Sequence, residues 1–124
     1  MNWETWMIMA GAIGMVVVWK RLTLVAPELA RKQLQEGALV VDVRSVGEFR
    51  DGHLPGAVNV PLDELPSGLS RHVAGKEHVV LLHCLSGTRS GMAARQLKRA
   101  GYRNVFNLGS LQRAKQITSN RNHS

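Results

Sequence analysis

The chain has 124 residues, 44% of them hydrophobic and 20% charged, which suits one small domain, leaves no room for two and is too apolar for wholesale disorder. A single cysteine excludes an intramolecular disulfide and any multi-cysteine zinc or iron–sulfur centre, and it favours a reducing compartment. The net charge of +7 is uneven: residues 1–77 carry eight basic and all nine acidic residues, whereas residues 78–124 carry eight basic residues and no acid. Such a half attracts small anions, a phosphate polymer or an anionic lipid surface, and composition does not choose among them.

From Trp6 to Trp19 the chain runs fourteen residues without a charge, and extending to Met1 admits only Asn2, Glu4 and Thr5 as interruptions. As a helix the first nineteen residues span about 28 Å, close to the ~30 Å of a bilayer core. Trp3, Trp6 and Trp19 stand toward its ends, where indole rings favour the membrane interface. A secretory signal peptide would place its basic residues first, but here Lys20 and Arg21 follow the apolar run. Residues 1–21 are therefore expected to be an uncleaved, single-pass membrane anchor. Lys20, Arg21, Arg31 and Lys32 would hold the following domain on the cytoplasmic side of the inner membrane.

Residues 22–118 read as alternating strands and helices, the pattern of a parallel α/β sheet flanked by helices. Leu22–Val25 is a short apolar run. Pro27 opens a helix that continues over Glu28–Glu36 and stops at Gly37. Ala38–Val43 is a continuous apolar strand, after which Ser45 and Glu48 form a capping-box pattern for a short helix ending near Phe49. Gly52 to Gly56 is turn chemistry leading to a strand over Ala57–Val60. Asp63–Ala74 is expected to be helical but irregular, because Pro66 and Gly68 interrupt it. Val79–His83 is the strongest strand, followed by a helix over Ser90–Ala100, a fifth strand within Tyr102–Leu108 and a last helix over Leu111–Ile117. Residues 119–124 form a polar tail.

Cys84-Leu85-Ser86-Gly87-Thr88-Arg89-Ser90 joins the buried strand to the start of a helix. A loop of this kind turns successive backbone N–H groups into one concavity and adds the positive end of the helix dipole. The first anion it stabilises is the Cys84 thiolate, whose pKa is expected well below the ~8.5 of a free thiol. Gly87 permits the tight turn, and Arg89 offers a guanidinium fork to a bound oxyanion.

These stretches resemble the single-domain rhodaneses. Val40-Val41-Asp42-Val43-Arg44, Glu48-Phe49 and Gly52-His53-Leu54-Pro55-Gly56-Ala57-Val58-Asn59-Val60-Pro61 are similar to one signature of that family. Val79–Cys84 with the Cys-x-x-Gly-x-Arg-Ser loop is similar to its catalytic one, and Leu97–Leu108 to its closing helix and strand. The resemblance implies a rhodanese-like fold and a thiosulfate sulfurtransferase. Cys84 would carry a persulfide, the amides of Leu85, Ser86, Gly87, Thr88 and Arg89 with the Arg89 side chain would cradle anions, and Asp42, Arg44 and Glu48 would frame the site. The family often ends with a Gly-Gly pair and a Trp, where Gly109-Ser110-Leu111-Gln112 stands here.

The implied partners are thiosulfate, or a persulfide donor, and a cyanide or thiol acceptor, with a protein sulfur-relay partner possible in principle and the membrane engaged through residues 1–21. No metal or organic cofactor is required. A membrane-tethered persulfide carrier with little thiosulfate turnover is the rival of a different class. Arsenate reductases and phosphatases are a weaker rival, because tyrosine phosphatases place five residues between Cys and Arg and this loop has four. His72, His78 and His123 lack metal-ligand spacing, and no motif supports nucleic-acid binding. The stripe Arg95, Lys98, Arg99 and Arg103 reads as a solvated helix face or an attractor of anionic partners.

Overall fold

A computed structural model describes residues 2–119. Helix α1 (Trp3–Thr23) begins at Asn2, whose Oδ1 accepts the Thr5 N–H at 3.1 Å. Trp3, Trp6, Met7, Ile8, Ile13 and Met15 are each more than half exposed, so the helix packs little of its apolar surface. The membrane-spanning anchor expected over residues 1–21 is not supported: no helix among the described residues is long and apolar enough to cross a membrane. The physical reason lies at its ends. Glu4 and Thr5 on one side and Lys20 and Arg21 on the other confine the uncharged run to about 21 Å of helix, short of the ~30 Å of a bilayer core.

The remaining elements are α2 (Pro27–Gln35), β1 (Leu39–Asp42), α3 (Val46–Asp51), β2 (Val58–Asn59), β3 (Val80–His83), α4 (Thr88–Arg99), β4 (Val105–Gly109) and α5 (Leu111–Ser119). The strands make one parallel sheet in the order β2-β1-β3-β4. Leu39, Val40, Val41 and Asp42 pair with Val80, Leu81, Leu82 and His83, which brings the carboxyl ends of β1 and β3 side by side. From β1 the chain steps outward to β2, then crosses back to β3 on the other side of β1. The pair β1/β3 is thus the switch point at which open α/β sheets form their ligand crevices.

Side-chain alternation along the strands divides the core into two layers. Val41, Val80, Leu82, Cys84 and Val105 pack against Ala93, Ala94 and Leu97 of α4 and against Leu65 and Leu69. Leu81 and Leu108 pack on the opposite face with Ala30 and Leu34 of α2 and Ala114 and Ile117 of α5. Burying each such Leu or Ile contributes roughly 1.5–3 kcal/mol against the entropy of ordering the chain.

Two expected elements differ. The apolar run Leu22–Val25, which a count of five strands takes as the first, does not form one; α1 absorbs its start, and only a parallel bridge from Leu24 to Asn107 remains. With Pro27 opening α2, too few extended residues are left for a ladder. The helix expected over Asp63–Ala74 is replaced by two short 3₁₀ turns, Leu62–Glu64 and Ser67–Arg71. Pro66 supplies no N–H to an α-helical ladder, and Gly68 lies so close to Val60 that a Cβ there would sit 3.1 Å from its Cγ1. Of the polar tail, residues 120–124 lie outside the described residues.

Candidate active site

The site forms where β3 ends. His83 is the last strand residue and Cys84 the first of the loop, its N–H donating to Gly109 O at 3.2 Å. Leu85 O accepts the Leu111 N–H, and Ser86 and Ser110 form an antiparallel bridge, so the loop is braced along the β4–α5 connection. Gly87 precedes α4 with φ +99°, and a Cβ there would lie 3.3 Å from Gly109 Cα. Both the left-handed backbone and the close approach require glycine at this position.

Cys84 is fully buried. Its Sγ accepts the Gly87 N–H at 3.0 Å and the Ser90 hydroxyl at 3.5 Å. Burial pushes the thiol pKa up, but the hydrogen bonds from the Ser90 hydroxyl and from the backbone around Ser90, Gly87 and Ser86 outweigh it, and the net direction is down. The loop therefore favours the thiolate form against desolvation. Leu85 and Thr88 turn outward and are exposed.

Two ion pairs flank the thiolate. Arg89 meets Glu48 through both guanidinium arms, Nη1 to Oε1 at 2.7 Å and Nη2 to Oε2 at 3.0 Å. That contact, foremost, lowers the Glu48 pKa to about 2 and raises that of Arg89. Glu48 also completes the capping box of α3, accepting from Ser45 N while Ser45 Oγ accepts from Glu48 N. Arg89 thus joins the start of α4 to α3 across the mouth of the site.

The second pair is buried. Arg44 Nε lies 3.0 Å from each carboxylate oxygen of Asp42, Nη2 donates to Oδ2 at 2.7 Å and to Gly52 O at 2.8 Å, and the Arg44 backbone N–H donates to Oδ1. Hydrogen bonding to Asp42 raises the Arg44 pKa despite burial. Asn59 Nδ2 bonds the carbonyls of both residues. The Asp42–Arg44 pair thereby fixes the turn after β1 beside the end of β3.

His83 faces the sheet surface opposite Cys84. Burial lowers its pKa, with Asp42 opposing, which favours the neutral ring. Its Nδ1 lies 3.3 Å from Cys84 O, a contact that requires the proton on Nδ1. Its Nε2 lies 3.8 Å from Asp42 Oδ2.

Two residues absent from the sequence-derived set belong to the site. Ser90 stands on the buried side of α4 and is the only side-chain donor to Sγ among the described residues. Asn107 interrupts the apolar run of β4; its Nδ2 donates to Gly87 O at 3.4 Å and its Oδ1 accepts from Gly109 N at 2.9 Å. A serine one turn into the helix after the cysteine and a polar residue inside an apolar strand were their signals. Ser90→Ala is expected to move the pH midpoint of Cys84 alkylation upward, because the thiolate loses a donor while staying buried. The pH profile of iodoacetamide labelling measures it. An unchanged midpoint would assign the depression to the backbone amides alone.

Comparison with known proteins bears on this arrangement. A family model described as "Rhodanese-like domain" matches residues 26–115. Thiosulfate sulfurtransferase PspE of Escherichia coli (strain K12) is 35% identical over 71 residues, covering 57% of this chain and 68% of that protein. The putative sulfur carrier protein YrkF of Bacillus subtilis (strain 168) is 36% identical over 73 residues, 59% of this chain but only 38% of YrkF. Among solved structures, a rhodanese with anions from E. coli superposes with a TM-score of 0.60 at 32% identity, covering 62% of this chain and 91% of that one. Human single-domain sulfurtransferase TSTD1 gives a TM-score of 0.62 at 27% identity, covering 76% and 96%.

Proposed function

The chain belongs to the rhodanese-like domain family, and we propose that it transfers sulfane sulfur from thiosulfate to a nucleophilic acceptor through a persulfide on Cys84. The observation that carries this reading is a buried sulfur at the carboxyl end of a parallel strand, held by the Gly87 N–H and the Ser90 hydroxyl.

In the first half-reaction the Cys84 thiolate attacks the outer sulfur of thiosulfate. A new S–S bond forms, the S–S bond of thiosulfate breaks, and sulfite leaves with the bonding electron pair. In the second, cyanide or a thiolate attacks the outer persulfide sulfur, and the Cys84 thiolate leaves. The donors to Sγ favour the thiolate form of Cys84, which is the attacking species. The same donors that hold the thiolate remain aimed at charge on the persulfide. The basic second half of the sequence draws the dianionic donor toward the loop.

Arg89 has both arms on Glu48 in the free protein. It contributes a fixed positive charge beside the loop, discounted by its exposure and by its partner. Arg89→Ala is accordingly expected to raise KM for thiosulfate by about three- to tenfold, the loss of one positive charge beside the loop. Steady-state kinetics measure this, and an unchanged KM would remove Arg89 from donor binding.

The central test is the intact mass of the protein after thiosulfate and then cyanide. One added sulfur on Cys84, discharged by cyanide, supports the reading. No addition to a reduced, accessible Cys84 overturns it. A second reading, a persulfide carrier that turns over thiosulfate poorly, draws on the name of the B. subtilis relative, of which this chain spans little more than a third. Persulfide loading from a protein donor far exceeding thiosulfate turnover would favour it. Placement of the domain at the cytoplasmic face of the inner membrane is a further proposal. It rests on Lys20, Arg21, Arg31 and Lys32 following the exposed apolar run of α1, and membrane fractionation of the full chain tests it.

A further inference from the structure

A cavity of about 490 Å³ lies against the sulfur loop, within the ~300–1,000 Å³ of small-molecule sites. Ser86, Gly87 and Thr88 form its inner wall, but neither Cys84 nor the Arg89–Glu48 pair lines it. Its apolar surface comes from Leu24, Met92 and Ala94. Arg95, Lys98 and Arg113 also line it, and no acidic residue does.

Arg113 is the most informative of these. Its Nη1 donates to Leu108 O at 2.7 Å and its Nη2 to Val25 O, so the guanidinium is pinned to the wall by two neutral carbonyls. Burial lowers its pKa, and no carboxylate pairs with it among the described residues. A half-buried cation without a counter-ion in a partly apolar hollow is electrostatically incomplete. An anionic head group satisfies it, and a short hydrocarbon body fills the space beside Leu24 and Met92.

We infer that this cavity is a second binding site, separate from the thiolate cradle, for a small organic anion with an apolar body. The anion is placed against Lys98 and the pinned Arg113, and the body against Leu24, Met92 and Ala94. Because Ser86, Gly87 and Thr88 line the cavity and Cys84 does not, an occupant touches the loop rather than Cys84.

The test uses the full chain and sodium hexanesulfonate as the probe, followed by amide NMR shifts. Saturable shifts are expected at Ser86, Gly87, Gly91 and Gly109, and they should persist unchanged in Cys84→Ser, which separates this site from the sulfur-transfer site. Lys98→Glu, a change on an exposed helix position outside the sulfur loop, should weaken binding by at least about fivefold. Hexanol, which lacks the charge, and sulfate, which lacks the body, should each bind more weakly than the sulfonate. Shifts confined to α1, shifts lost in Cys84→Ser, equal binding of hexanol, or binding indifferent to Lys98→Glu would each overturn the assignment.

Discussion

Cys84→Ser is expected to take up no sulfur from thiosulfate and to lose turnover by at least about a thousandfold, while unfolding at nearly the same denaturant concentration. The loss is large because both half-reactions pass through one sulfur atom. No neighbour substitutes for it, since the chain has a single cysteine. Stability changes little because the oxygen of serine meets the same donors, the Gly87 N–H and the Ser90 hydroxyl, in the same buried position. Sulfite release and intact mass, measured together, separate the possibilities. Sulfite release that continues in Cys84→Ser would mean that sulfur transfer does not run through this residue. Loss of sulfite release accompanied by unfolding would be read against Ser90→Ala, which leaves the nucleophile in place.

How far the sequence revealed this site depends on whether a residue acts locally or across the fold. Cys84, Gly87 and the start of α4 are contiguous, so strand, turn and helix signals converge on a loop whose N–H groups face one point. The capping box at Ser45 and Glu48 was legible for the same reason, being a four-residue motif. Asn107 was not, because its role is set by β4 lying beside β3, twenty residues away from Gly87 in sequence. The bidentate Arg89–Glu48 contact spans 41 residues and depends on α3 and α4 meeting at the switch point. The N-terminal helix was found where the uncharged apolar run and its length put it. Its expected role as an anchor is not supported among the described residues, where the run of fourteen uncharged positions is shorter than a full bilayer span. The segment after Pro61, expected as an irregular helix interrupted at Pro66 and Gly68, is instead two 3₁₀ turns, and Gly68 also lies against Val60, a contact made across the fold.

Asp42→Ala is expected to destabilise the domain by about 3–5 kcal/mol, far more than removal of the Glu48–Arg89 pair, for which about 1 kcal/mol is an upper expectation. The contrast follows from burial. Asp42 is 0% and Arg44 4% exposed, whereas the Glu48 and Arg89 side chains keep about a third of their surface in solvent. Truncating Asp42 leaves the Arg44 guanidinium buried with only Gly52 O as an acceptor, and it strips the Arg44 N–H of its Oδ1 partner. The cost is that of an uncompensated charge, so it should vanish when the charge is removed as well. The double change Asp42→Leu with Arg44→Met is expected to recover most of the loss. Urea unfolding measures both through the midpoint at constant slope. A single variant within about 1 kcal/mol of the parent would show that water reaches the pair and that its burial is not what fixes the turn after β1. If the double variant refolds fully and still loads sulfur on Cys84, Asp42 and Arg44 act by shaping the crevice between β1 and β3. Loss of loading in a stable double variant would give their charges a direct part in the field that the donor meets.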